Sequence, residues 1–151
     1  LTSSLAAQEH TTMPTTDLAS LRNAKLQAFV TALGSSAVAR LYSGSRPAGP
    51  GSAATGTLLA TLTFGTDILA ANGGSAGSVT AGVLTTGGYT QTAASHVNGT
   101  PGYIRWSTSG GTALRDTDVT ASAITGNVQF NGTVATGTNI TGAISYTDGD
   151  V

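Results

Sequence analysis

ARLYSGSRPAGPGSAATGTLLATLTFG, residues 39–65, reads as strand, loop, strand. Arg40 and Tyr42 alternate with Ala39 and Leu41, a run of Gly, Pro, Ser and Ala follows, and Leu58, Ala60, Leu62 and Phe64 then alternate with Leu59, Thr61 and Thr63. A period of two marks strands with one buried face. GYIRWSTSGGTALRDTDV, residues 102–119, repeats the pattern, with Ile104 and Trp106 on one face and Tyr103 and Arg105 on the other. Ser109-Gly110-Gly111 between its two halves is a tight hairpin signal.

Upstream the period changes. Leu18, Leu21, Phe29, Val30 and Leu33 recur near 3.6, Asp17 or Thr16 can cap the start, and Gly34 supplies a stop, so a helix is expected there. From residue 37 onward, strands are expected over 38–43, 58–64, 82–86, 103–107, 113–119, 128–131, 134–136 and 139–146, with Asn131-Gly132 as a second tight turn. Residues 44–56 and 70–82 have little to bury and read as surface loops or arms. Both reach the ~12-residue length beyond which loops usually carry function or lack order. Scattered TxT steps drift in spacing, which argues against a solenoid. The expected fold is mainly β, a β-sandwich-like or jelly-roll-like single domain with one short N-terminal helix. Its parts are a flexible arm over 1–16, an amphipathic helix over 17–34 and a body over 35–151.

At 151 residues the chain suits one domain, which at this size buries ~70% of the surface its unfolded chain exposes. Charged residues make up 9% of it, against a usual ~25%, and Thr, Ser, Gly and Asn supply the polar surface instead. Thr suits that task because its branched side chain packs well on a pleat. Six Lys plus Arg against seven Asp plus Glu leave a net charge of −1 and no basic stripe for phosphates, so nucleic acid is not an expected partner. Cysteine is absent, which removes disulfides and thiolate metal sites. No window approaches the ~18 apolar residues of a membrane helix. The opening LTSSLAAQEHTT lacks the basic and long apolar regions of a signal peptide. It reads either as an extension upstream of a start at Met13 or as the trimmed end of a longer chain.

Catalysis needs acids, bases, nucleophiles or ligands that converge, and few are available. His10 and His96 lack a nearby ligand or carboxylate partner and read as surface residues. No GxSxG elbow marks a serine nucleophile. Neither a catalytic set nor a cofactor is expected. Asp116-Thr117-Asp118 and Asp148-Gly149-Asp150 are the carboxylate clusters, and the first suits a turn or salt-bridge role with Arg105 or Arg115. A structural calcium at Asp116 and Asp118 is the minor alternative. The sequons at Asn98, Asn131 and Asn139 read as turn residues of a Thr-rich chain. Tyr42, Tyr89, Tyr103, Trp106 and Tyr146 are candidates for a sugar-stacking platform, with Tyr89 the best placed and Trp106 better suited to a core.

Residues 39–65 and 102–119 together resemble a group of small virion proteins of tailed bacteriophages, in which a short helix with an "LRNAxLQA"-like run precedes a strand of "RIYSGxxPA" type; this chain has LRNAKLQAF over 21–29 and RLYSGSRPA over 40–48. The resemblance covers roughly residues 18–144. It implies a non-enzymatic structural protein of the phage particle, made in the bacterial cytoplasm, and above all a capsid decoration or cement protein that bridges and stabilises capsid subunits. The implied partners are the major capsid protein or other virion proteins, with the chain as a homo-oligomer whose many modest contacts add through avidity. The alternatives are a tail or fibre component, or a carbohydrate-binding adhesin module. Position in the chain nominates Arg22 and Lys25 on the helix, Arg46 and Pro47 in the first long loop, and Tyr89 as partner-binding residues.

Overall fold

The computed structural model describes residues 18–70, 76–87, 89–91, 96–120, 128–129, 134–136 and 140–148. One helix, α1 (Ala19–Leu33), precedes ten strands: β1 (Val38–Tyr42), β2 (Leu58–Thr63), β3 (Ser78–Thr80), β4 (Val83–Thr85), β5 (Tyr89–Gln91), β6 (Tyr103–Ser107), β7 (Ala113–Thr120), β8 (Val128–Gln129), β9 (Ile140–Gly142) and β10 (Ser145–Thr147). Eight strands join in the order β2-β1-β6-β7-β8-β10-β4-β3, and β5 pairs with β9 separately. Pairing is antiparallel except between β7 and β8. This is the expected mainly β class with a single short helix. The helix is too short to cross a membrane, and no helix among the described residues is long and apolar enough to do so.

The helix buries Leu26, Phe29, Val30 and Leu33, an i, i+3, i+4, i+7 stripe. Leu18 and Leu21, expected on that stripe, are instead 76% and 48% exposed. Stepping back one turn from Leu26 gives Arg22 and Asn23, and these face the β3–β4 turn, where Asn23 Oδ1 accepts from the Gly82 N–H at 2.8 Å. The turn is polar backbone, so the helix meets it with polar side chains. The N-terminal cap position is Leu18, with no side-chain cap, while Thr16, Asp17 and the arm expected over 1–16 lie outside the described residues. Gly34 ends the helix as expected, at φ 68° with its N–H on the Val30 carbonyl.

One hydrophobic cluster joins the helix to both halves of the eight-stranded sheet, from Leu41 and Trp106 to Leu84, Ile144 and Tyr146. Trp106 is its centre, with Phe29 edge-on at 6.2 Å and Phe64 stacked at 6.3 Å. Burying such large rings gives the helix its anchorage, each full aromatic or Leu burial contributing ~1.5–3 kcal/mol.

Several strand expectations are corrected. β3 lies inside the stretch read as a loop over 70–82, paired to β4 through a two-residue turn at Ala81-Gly82 with φ of 52° and 77°. Three residues are too few to show a period. β5 was not anticipated. The strand expected over 139–146 splits into β9 and β10, because the Ile144 N–H bonds to Thr86 Oγ1 and its carbonyl accepts from the Thr86 N–H. Val134 forms a lone bridge to Gly99 in place of a strand. The Ser109-Gly110 hairpin is present, with Gly111 at φ 87°, whereas Asn131-Gly132 lies outside the described residues.

Candidate functional site

The registers β2·β1, β1·β6 and β6·β7 sort the side chains of this half-sheet by parity. Ala39, Leu41, Ala60, Leu62, Ile104 and Trp106 share the face that joins the hydrophobic cluster. Arg115 and Thr117 extend that face. Trp106 Nε1 donates to Thr117 Oγ1 at 3.0 Å, and the Arg115 guanidinium lies between the rings of Phe29 and Tyr146, 4.7 and 5.0 Å from their centroids. Arg115 thus serves the core and leaves the neighbouring aspartates to other arginines.

The opposite face carries the polar chemistry. Thr61, Arg40, Arg105 and Asp116 stand directly across from one another in one row, and Tyr42, Tyr103 and Asp118 in the next. Arg105 grips Asp116 bidentately, Nε to Oδ1 and Nη2 to Oδ2, both at 2.8 Å. Both side chains are nearly inaccessible, at 10% and 1% exposure. The hydrogen bonds it donates to Asp116 hold the Arg105 guanidinium above its ordinary range, against the opposing effect of burial. Tyr42 and Tyr103 stack at 5.1 Å with their planes 8° apart. Arg40, half-buried, reaches Ser107 Oγ at 3.3 Å.

The loop between β1 and β2 folds back over this face. Tyr103 Oη both donates to the Thr55 carbonyl at 2.8 Å and accepts from the Thr55 N–H at 3.0 Å. Ser43 and Thr57 close the loop base, and Thr55 Oγ1 donates to the Ser45 carbonyl. At Gly56, φ 74°, an added Cβ would lie 1.9 Å from the Ser43 carbonyl oxygen, so this close approach requires glycine. The loop is therefore tied down rather than loose. Arg46 Nε bonds Asp118 Oδ2 at 2.9 Å with both side chains nearly half exposed. That pair stands at a cleft of about 610 Å³ lined by Gly44, Ser45, Arg46, Pro47, Gly102 and Asp118, among others.

The nominated residues divide. Arg46 and Pro47 come together at the cleft. Arg22 and Lys25 do not join them: Arg22 is half-buried against Gly82 and Lys25 is exposed on the helix. Tyr89 pairs with Gly142 in β5, and its side chain lies outside the described residues. Asp116 and Asp118, the calcium candidates, are each engaged by an arginine, and the described residues include no group of three His, Cys, Asp or Glu placed to hold a metal. His96, expected on the surface, is 4% exposed; its carbonyl accepts from Thr136 Oγ1 and the next residue bonds the Leu59 carbonyl, which draws the segment inward. His10 lies outside the described residues. Asn98 behaves as a turn residue, its Oδ1 accepting from the Thr136 N–H. Tyr103, Trp106 and Tyr146 are buried, so they offer no exposed sugar platform.

Sequence reasoning missed Arg40. Its alternation with Ala39 and Leu41 placed it on the polar face, but only the cross-strand register shows that its neighbour is Arg105. No protein-family model, curated protein or solved structure matches the chain.

Proposed function

We propose that the chain is a non-enzymatic structural protein of a tailed-phage particle, a capsid decoration protein that docks through the polar face of the β2-β1-β6-β7 half-sheet and the β1–β2 loop. One observation supports this above the rest: the segments that carry the resemblance are neighbours in space, β1, its loop and β2 beside β6 and β7. Their shared outer face offers the accessible Arg46–Asp118 pair, half-buried Arg40 and Tyr42, and a cleft whose pinned loop costs little ordering on binding. Aromatic rings and arginines are the residues most enriched where protein surfaces bind one another. Avidity on a repeating lattice makes such a modest face sufficient.

The direct experiment adds recombinant protein to purified heads that lack it. Saturation at a fixed ratio to capsid subunits, with a rise in the temperature at which heads rupture, is the expected result, since a ligand that binds only the intact state stabilises it by mass action. Binding to host cells and not to heads would replace this reading with the adhesin. Immunogold label confined to tails would move the protein there.

A further inference from the structure

We infer that Arg40 is an unsatisfied carboxylate receptor, the point at which an acidic side chain of the partner protein enters the polar face. The inference rests on the docking role proposed above and specifies its chemistry. Arg40 lies directly opposite Arg105 across the β1·β6 pair, a like-charge juxtaposition that is unfavourable when both cations are left without an anion. The carboxylate of that row, Asp116, gives both oxygens to Arg105. The carboxylate of the next row, Asp118, is held by Arg46. Among the described residues, three arginines against two aspartates leave one positive charge in excess on this face, and it falls on Arg40.

A guanidinium offers five N–H donors in a planar fork. Arg40 has one hydrogen bond among the described residues, a long one of 3.3 Å to the Ser107 hydroxyl. The remaining donors suit the two oxygens of a carboxylate, the pairing that the fork geometry favours. Thr61 on the other side of the row adds a hydroxyl. A single excess charge suits a monoanion. A nucleic-acid backbone, with charge repeated along its length, would meet the exposed Asp118 on the same surface.

The test compares wild type with Arg40→Gln and Arg40→Lys in head binding. Arg40→Gln is expected to weaken binding by about tenfold or more, tenfold being ~1.4 kcal/mol. Arg40→Lys, which keeps the charge and loses the fork, should fall between. Wild-type affinity in Arg40→Gln overturns the inference and leaves the docking role standing. A second measurement does not depend on heads or on the variants folding: acetate, then inorganic phosphate, is titrated into the isotopically labelled wild-type protein at constant ionic strength while the Arg40 Nε–H resonance is followed. A saturable shift with acetate is expected. No shift, or a shift with phosphate alone, overturns the inference even if heads are bound.

Discussion

Asp116 and Asp118 sit two residues apart on β7 and each pairs with an arginine, yet their replacement should differ severalfold in cost. Arg105–Asp116 is bidentate at 2.8 Å with side chains 10% and 1% exposed. Removing one partner of such a pair leaves a buried charge uncompensated, which costs ~3–5 kcal/mol. In Asp116→Ala that charge would also face Arg40 across the strand pair, so the upper half of the range is expected. Arg46–Asp118 has a similar 2.9 Å contact but side chains 47% and 41% exposed, and exposed pairs are worth ~0–1 kcal/mol. Urea unfolding of Asp116→Ala, Asp118→Ala and wild type measures both. At ~2–4 °C per kcal/mol for a domain near this size, the first variant should also melt ~8–20 °C lower and the second within ~4 °C. Equal losses, or a larger loss at Asp118, would refute the assignment of burial to one pair and exposure to the other. Replacing Arg105 and Asp116 together by Met and Leu should recover most of the stability, because the charged pair must be desolvated and an apolar pair need not.

Three further outcomes are expected. Ala81 holds φ 52° in the two-residue β3–β4 turn, where Asn or Gly is favoured, so Ala81→Asn should raise stability by ~1 kcal/mol in the same urea assay. Trp106→Ala removes the ring at the centre of the cluster and should cost ~3–5 kcal/mol, with helical circular dichroism signal lost at lower denaturant than in wild type as α1 loses its contact. Tyr146 is raised above the ordinary 10.0 chiefly by burial, with Asp148 adding to the rise and Arg115 opposing it. Its protonated form therefore contributes stability that is fully present below pH 10.0 and is lost as pH rises through the higher folded value; Tyr146→Phe should flatten that alkaline decline in thermal melts.

The half-sheet was legible because its strands alternate. Ala39 and Leu41, Leu62 and Ala60, Ile104 and Trp106 each announce a buried face, and tight turn residues join them at Ser109-Gly110. Elsewhere the reading is partial: β4 and β8 fall inside the strands expected over 82–86 and 128–131, whereas β3 and β5 were not legible and a single strand over 139–146 stands for β9 and β10. β3, β9 and β10 are three residues each, too short for a period, and rich in Thr, Ser and Gly that suit loops as well as strands. The helix was legible in extent and half legible in orientation. Leu18 and Leu21 outweigh Leu26 in a simple count of apolar positions, but the face is chosen by what lies beneath it, and beneath the first turns lies the Ala81-Gly82 turn with its free-standing N–H, which Asn23 satisfies.

The polar face shows why charge counting along a chain differs from charge counting across a sheet. In sequence, Arg105, Arg115, Asp116 and Asp118 form a balanced group of two cations and two anions. Strand parity breaks it up: Arg115 turns into the core between Phe29 and Tyr146, and the vacancy is taken by Arg46, brought across by a loop pinned at Tyr103. Arg40 then arrives beside Arg105 from a strand more than sixty residues upstream. A chain with a net charge of −1 thereby acquires a local positive excess on one face, set by register alone. Shifting β1 by one residue against β6 would send Arg40 to the core side and erase it. The same pairing that buries Leu41 and Trp106 thus fixes the charge of the surface opposite, so the docking chemistry is inherited from the packing of the core.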